Sequence, residues 1–364
     1  MNEYYMPTKV EFGDRSLGKL GDIGLKGRGR LFLGRHSWDN GDLSKVLEQI
    51  NGNRLDVIEV RSNPDISFYD AQIEIIKHRD YRFVIGMGGG SVMDVGKVVA
   101  YAANKTKRVM DLMANGTNGK GLTYVAIPTT AGTGSEVTMW ATVWDHDKKR
   151  KLSLSRKAMY PDYAIVDPEL TSDLPPRLIA ETGMDALSQA VEAFWAIASN
   201  PTSDDYAREA IPLIMDNIVK RYQAVSSVED NLEARTALSL GSLTAGRAFS
   251  NTRTTGVHSV SYPLTLRFNV SHGRSVGMLL PAFIDYNFKH IGYKAKELEG
   301  MGVTSERIRE MLKEMEMPTR LSEVGVTEGD IPLLASESYT PGRVDNNPRD
   351  LTGESLRNLL LENL

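Results

Sequence analysis

The stretch GMGGGSVMDVGK, residues 86–97, follows the β-branched run RFVI and leads into the helical spacing of SVMDVGKVVAYAA. A strand that ends in glycines and opens a helix exposes backbone N–H groups at the positive end of the helix dipole, which is where a phosphate is held. Glycine at that point lets a ligand approach the backbone. The stretch is not GxGxxG, so the ordinary dinucleotide fingerprint is absent, and by itself the turn reads equally well as a tight connection. AIPTTAGTGSEVT (126–138) repeats the arrangement after the next apolar run, with five hydroxyl residues and two glycines. Ligands of open α/β sheets sit outside the carboxyl ends of the strands, so two such loops on neighbouring strands point to a nucleotide site.

Outward from this pair, short apolar runs alternate with helical patterns. RLFLG (30–34), LDVIEV (55–60), RFVIGMGGG (82–90), GLTYVAIPTT (121–130) and DYAIVDP (162–168) read as strands; DLSKVLEQI, FYDAQIEIIKH and SVMDVGKVVAYAA read as helices. That rhythm predicts a parallel sheet covered by helices, an α/β domain over residues 1–168. After DPELTSDLPP the pattern changes to long helical segments, which predict an all-α domain over 169–364 ending in a capped helix within NNPRDLTGESLRNLLLENL.

Composition narrows the chemistry. Among 364 residues the formal net charge is −4, so there is no basic excess that would favour nucleic acid or an anionic membrane as partner. The chain has no cysteine, which excludes disulfides, thiolate nucleophiles and thiolate-bound zinc, so any metal must use His, Asp, Glu or amide oxygen. MNEYYMPTKV lacks the features of a secretory leader, and runs such as VGMLLPAFI are too short to span a bilayer. A soluble, cytoplasmic protein is expected.

GMDALSQAVEAF (183–194) carries the polar pattern of most interest. On a helix, Asp185, Gln189 and Glu192 share one stripe, while Met184, Leu187, Val191 and Trp195 line another. Such a stripe is ordinarily a solvated face; if it faces inward, a carboxylate with an amide one turn later calls for another role.

Together, GGGSVMDVGK, IPTTAGTGSEVT, PDYAIVDPELTSDLP, ETGMDALSQAVEAF and ASNPTSDDYAREAI resemble the iron-containing (group III) alcohol dehydrogenase family, over nearly the whole chain. The resemblance implies that 1–168 is a dinucleotide-binding α/β domain and 169–364 a helical metal and substrate domain, which together carry out metal-dependent, NAD(P)-linked interconversion of a small alcohol with its aldehyde or ketone, in a homo-oligomer. Position by position, Gly88, Gly89, Gly90 and Ser91 match the family's pyrophosphate turn. Thr129, Thr130, Thr133 and Thr138 match the loop beside the ribose and nicotinamide. Lys151 matches a lysine near the ribose, though in DKKRKLSLSRK it reads equally as a solvated lysine.

The resemblance further implies Asp185, His258 and His272 as ligands of Fe2+ or Zn2+, the histidines lying in GVHSVSYPLTLRFNVSHGRS. This chain departs from the family twice: Gln189 stands where a third histidine ligand is usual, and Tyr262 replaces a histidine near the nicotinamide. The departures leave open whether Gln189 ligates the metal and whether the proton path uses Tyr262, water or a ribose hydroxyl. After RLFL, Gly34, Arg35, His36 and Ser37 occupy the place where NAD-preferring relatives carry an acid that binds the ribose hydroxyls, so NADP(H) is expected over NAD(H). Two other readings stay open: a glycerol dehydrogenase-like polyol or polyol-phosphate enzyme, and a metal-free nucleotide-binding protein.

Overall fold

The structure, a computed structural model, describes residues 4–50, 52–103, 105, 108–114, 119–148, 150–224 and 232–364. Two compact units result: one spans Met6–Asp173, and the other Leu174–Leu364 together with the start of the chain. Tyr4 and Tyr5 join the helical unit because the Tyr4 hydroxyl donates to Arg247 O (3.1 Å) and the Tyr5 N–H to Asn251 Oδ1 (2.8 Å).

In the first unit the strands are β1 (Lys9–Phe12), β2 (Arg28–Gly34), β3 (Arg54–Val60), β4 (Tyr81–Gly88), β5 (Thr123–Pro128), β6 (Trp140–Asp145), β7 (Arg150–Ser155) and β8 (Tyr163–Val166). Six of them form a parallel sheet in the order β1-β8-β5-β4-β2-β3, and β6 and β7 form a separate antiparallel hairpin. Helices α1 (Arg35–Asp39), α2 (Asp42–Gln49), α3 (Ile66–Lys77), α4 (Gly90–Ala102) and α5 (Val109–Ala114) connect the strands.

The central strands read as continuous apolar runs because both sheet faces are covered. Phe32, Val84 and Ala126 pack with Val95, Val98 and Val99 of α4 on one face. Leu31, Leu33, Ile85, Val125 and Ile127 pack with Leu17, Leu20 and Val46 on the other. Two elements lack that signal. β1 is a four-residue edge strand, KVEF. β7 lies inside the run that reads as a basic cluster, yet Leu154 is buried and Leu152 packs against the core.

From β2 the chain runs outward to β3 and then returns across β2 to β4, so the direction of winding reverses between β2 and β4. Such a switch point opens a crevice at the carboxyl ends of the two strands. Those ends are Gly34 and Gly88, and a Cβ built on Gly34 would lie 3.5 Å from Gly88 Cα.

In the second unit the helices are α6 (Pro176–Trp195), α7 (Pro201–Met215), α8 (Ile218–Ala224), α9 (Leu232–Thr252), α10 (Gly256–Phe268), α11 (His272–Asn287), α12 (Tyr293–Gly300), α13 (Ser305–Glu314), α14 (Ile331–Glu337) and α15 (Gly353–Glu362). Their ends follow local chemistry. Pro176 occupies the first turn of α6, where its missing N–H costs nothing. Asn200 and Ser203 form a reciprocal cap on α7, as Thr352 and Ser355 do on the final helix α15. Among the described residues, no helix is long and apolar enough to cross a membrane.

Candidate active site

Helix α6 is buried along most of its length, and its polar stripe faces inward: Asp185, Gln189 and Glu192 are all buried, Glu192 completely. Opposite them, α10 supplies His258 and α11 begins with His272. Asn269 ends α10 in the left-handed conformation, and the short link through Ser271 turns the chain back into α11. Gly273 then permits close packing: a Cβ there would fall 2.0 Å from the carbonyl oxygen of Glu181 on α6. This is the physical reason for glycine after His272, whose imidazole is brought beside Asp185.

Three ligand atoms converge. His258 Nε2 is 3.3 Å and His272 Nε2 3.7 Å from Asp185 Oδ1. One atom from each of Asp185, His258 and His272 lies within 4.8 Å of the others, a set that could hold a metal ion. Gln189, one turn after Asp185, presents a buried Oε1 with no hydrogen-bond partner. An orphaned buried acceptor is costly unless a cation or donor satisfies it, so the residues present fit a divalent metal.

Behind His258, Nδ1 is hydrogen-bonded to Glu192 Oε2. Glu192 Oε1 accepts from Thr255 N–H (2.8 Å), Thr255 Oγ1 (2.8 Å) and His258 N–H (3.3 Å), and Trp195 Nε1 donates to Thr255 Oγ1 (2.9 Å). Burial would push the Glu192 carboxyl up, but His258 and the Thr255 donors outweigh it and hold the group below its ordinary value. Burial likewise opposes charge on His258, and the carboxylates on its two sides overcome it and raise its pKa. The centre is electrostatically prepared for a cation. Glu192 lies on the same stripe, and its spacing of seven residues from Asp185 is its signal in the sequence.

Tyr262 stacks on His272, with ring centroids 6.0 Å apart and planes tilted by 21°. Burial pushes its hydroxyl up to about 12, so it stays protonated at neutral pH. A second acidic cluster, Asp14, Asp167 and Glu169, belongs to the first unit. There the Asp167 carboxylate already accepts the N–H groups of Arg15, Leu17 and Glu169, which makes it a cap.

In the first unit the glycine turn and the threonine loop touch. A Cβ on Gly90 would sit 2.8 Å from Thr133 Cγ2, and one on Gly88 2.6 Å from Val92 Cγ2. Gly89 caps α4, whose first N–H groups, from Gly90 and Ser91, have no partner within the helix. The Thr129 N–H donates to Gly88 O at 3.1 Å, tying the loop to the turn. Thr130 and Thr133 are half-buried, and Thr138 is buried.

The loop is held by two further residues of α4, Lys97 and Asp94. Lys97 Nζ donates to Thr138 Oγ1 (3.1 Å) and Trp140 O (2.7 Å). Asp94 accepts from Ser135 Oγ (2.7 Å) and Thr142 N–H (2.8 Å). A lysine on an otherwise apolar helix face was the signal for this brace. Burial lowers the Lys97 pKa to about 8.

At the end of β2, Arg35 is exposed and paired with Asp39 (2.8 Å) and Glu59 (3.4 Å). His36 Nε2 bonds Asn40 Nδ2 at 3.0 Å, and Ser37 is fully buried, its hydroxyl without a partner. Lys151, on β7, faces Trp144 across the hairpin with Nζ 5.7 Å from the ring.

Comparison with known proteins agrees with these two halves. The profile described as iron-containing alcohol dehydrogenase matches residues 7–168, and that described as Fe-containing alcohol dehydrogenase family, C-terminal, matches residues 179–364. NADPH-dependent butanol dehydrogenase of Clostridium saccharobutylicum is 29% identical over 99% of this chain and 97% of its own length. A crystal structure of sulfoacetaldehyde reductase from Bifidobacterium kashiwanohense in complex with NAD+ is 32% identical and covers 100% of this chain and 98% of its own, with a TM-score of 0.92. Iron-containing alcohol dehydrogenase from Thermotoga maritima is similar at 32% identity, 100% and 99% coverage and a TM-score of 0.89.

Proposed function

The chain belongs to the iron-containing alcohol dehydrogenase family, and from that premise we propose how its own residues carry out the NAD(P)-linked interconversion of a small alcohol with its aldehyde or ketone. The reading rests above all on the convergence of Asp185, His258 and His272, with the orphaned Oε1 of Gln189 one turn along the same helix. These residues would hold ferrous iron or zinc, with Gln189 as a weak further ligand or a water in its place. When bound, the metal supplies a Lewis acid that draws electron density from the substrate oxygen. Glu192 fixes the imidazole of His258 so that Nε2 points to the centre. Tyr262, protonated at neutral pH, acts as a hydrogen-bond donor and not as a base.

The nicotinamide cofactor takes its place at the switch point between β2 and β4. Gly88, Gly89, Gly90 and Ser91 receive the pyrophosphate on the N-terminus of α4, where a side chain at Gly90 would meet Thr133. Thr129, Thr130, Thr133 and Thr138 line the ribose and nicotinamide, and Lys151 reaches the ribose. Preference for NADP(H) is supported by Arg35 following Gly34 and by a relative named for NADPH. The test is metal analysis of the purified protein, followed by oxidation of NADPH and NADH with a panel of short aldehydes and ketones. Metal at about one ion per chain with aldehyde-dependent NADPH oxidation is expected; protein free of metal and inactive with both cofactors would refute the reading.

A further inference from the structure

Over the ring of Tyr262 there is a cation the reaction does not use. The guanidinium of Arg343 lies 5.2 Å from the Tyr262 ring centroid, and the same ring stacks on His272. Arg343 Nη1 donates to Thr254 Oγ1, a buried hydroxyl four residues before His258. Other arginines of this unit have their guanidinium charge met by an acid, as Arg267 does with Glu337 and Arg307 with Glu314. Arg343 is half-buried and has no carboxylate partner among the described residues. The carboxylate nearest in sequence, Asp345, is committed elsewhere: its oxygens accept from the Tyr339 hydroxyl and the Gly342 N–H.

A second guanidinium lies close by. Gly342 adopts a φ of 77°, and a Cβ on it would fall 2.6 Å from Arg253 Nη1. Arg253 also has no carboxylate partner among the described residues. Two cations thus flank Gly342, adjacent to the tyrosine that borders the ligand set. A partly desolvated guanidinium with open donors is built for an anion, because its planar fork matches carboxylate, sulfonate or phosphonate oxygens and gives charge-assisted hydrogen bonds.

We propose that Arg343 is the specificity-determining residue for a short aldehyde whose far end carries an anionic group, with the carbonyl at the Asp185–His258–His272 centre and the anion on the guanidinium. Arg253 adds positive potential. The inference rests on the aldehyde-reductase reading for its substrate, but the anion site itself is defined by Arg343 alone.

The test compares matched aldehydes in the wild type, Arg343→Met and Arg343→Lys: succinic semialdehyde against its neutral methyl ester, with sulfoacetaldehyde and phosphonoacetaldehyde as further anionic tails. Wild type prefers the anionic member of the pair. Arg343→Met raises KM for it roughly 10- to 100-fold, as expected when a charged hydrogen-bond partner is lost. It leaves the neutral ester within about threefold, and Arg343→Lys recovers part of the loss. The tail most affected identifies the anion. Equal losses on the charged and neutral substrates would mean that Arg343 only supports Tyr262, and the proposal would fall.

Calorimetry with propane-1-sulfonate, which has no carbonyl, separates this inference from the reductase reading. Binding to wild type and not to Arg343→Met supports the anion site even if no aldehyde is reduced. Equal binding to both proteins overturns the anion site even if neutral aldehydes are turned over well.

Discussion

His258 and Glu192 form a hydrogen-bonded pair, Nδ1 to Oε2, in which the carboxylate has no solvent exposure and its other oxygen accepts from three further donors. A ligating imidazole needs its second nitrogen fixed, and this is the common means: it sets the tautomer and strengthens the other nitrogen as a donor to metal. Glu192→Gln keeps the shape and removes the charge. Metal affinity should fall roughly 10- to 100-fold, the usual cost of losing such a partner. Chelator competition on the purified protein measures it, with circular dichroism as the check on folding. Retention equal to the parent would reduce Glu192 to a cap for Thr255.

Gln189 could offer a metal only a neutral amide oxygen, and its buried Oε1 has no hydrogen-bond partner. Imidazole is the better ligand for iron and zinc, so Gln189→His should slow metal loss during dialysis against chelator. If the variant loses metal as fast as the parent, the stripe on α6 does not direct this side chain to the metal.

The proposed preference for NADP(H) rests on Arg35, whose charge is shared with Asp39 and Glu59. These are exposed pairs and cost little to break, so the guanidinium can be drawn to a 2′-phosphate. Catalytic efficiency should be higher with NADPH than with NADH. Arg35→Ala should lower the NADPH value about tenfold and leave NADH nearly unchanged, and Asp39→Asn should raise the NADPH value by freeing the fork. An NADH preference in the parent would remove the basis for the assignment.

The fold was legible where burial left a pattern. The four inner strands, covered on both faces, appear as apolar runs, as does the edge strand β3, and the first long helices of the second unit and its last helix appear as periodic segments. β1 was too short, and β7 was hidden because Lys151 and its neighbours dominate the composition while only Leu152 and Leu154 turn inward. In the site, motif positions such as Gly90 and Asp185 carry their own signal. Glu192, Lys97, Asp94 and Arg343 act through partners 41 to 89 residues away in sequence, and no local pattern encodes such pairings.

Gly90 is tested by a pair of variants, since Thr133 lies against it. Gly90→Ala should weaken NADPH binding in a fluorescence titration. Adding Thr133→Ala removes the two tightest contacts and should recover stability. Affinity should not return if, as proposed, the pyrophosphate approaches the backbone where the new methyl still stands. Recovery of affinity in the double variant would show that Gly90 serves Thr133 and not the cofactor.

Lys97 gives a pH-dependent prediction. Its ammonium is buried between Thr138 Oγ1, Trp140 O and, at 3.6 Å, Asp94 Oδ1. Burial lowers its pKa from 10.5 to about 8, and Asp94 and Glu136 oppose a larger fall. Below pH 8 the group is charged in both folded and unfolded chains, and burying that charge costs stability. Between pH 8 and 10.5 the folded chain has released a proton that the unfolded chain still holds, so this contribution to stability rises with pH, by up to about 3 kcal/mol in total. Lys97→Met has nothing to titrate and should lack the rise. Denaturant midpoints for both proteins from pH 7 to pH 10 isolate the term, because the alkaline titration of other groups is common to both. Wild type should gain on the variant above about pH 8; a difference that stays flat across that range would show that Lys97 is not held as a buried, depressed ammonium bracing the threonine loop.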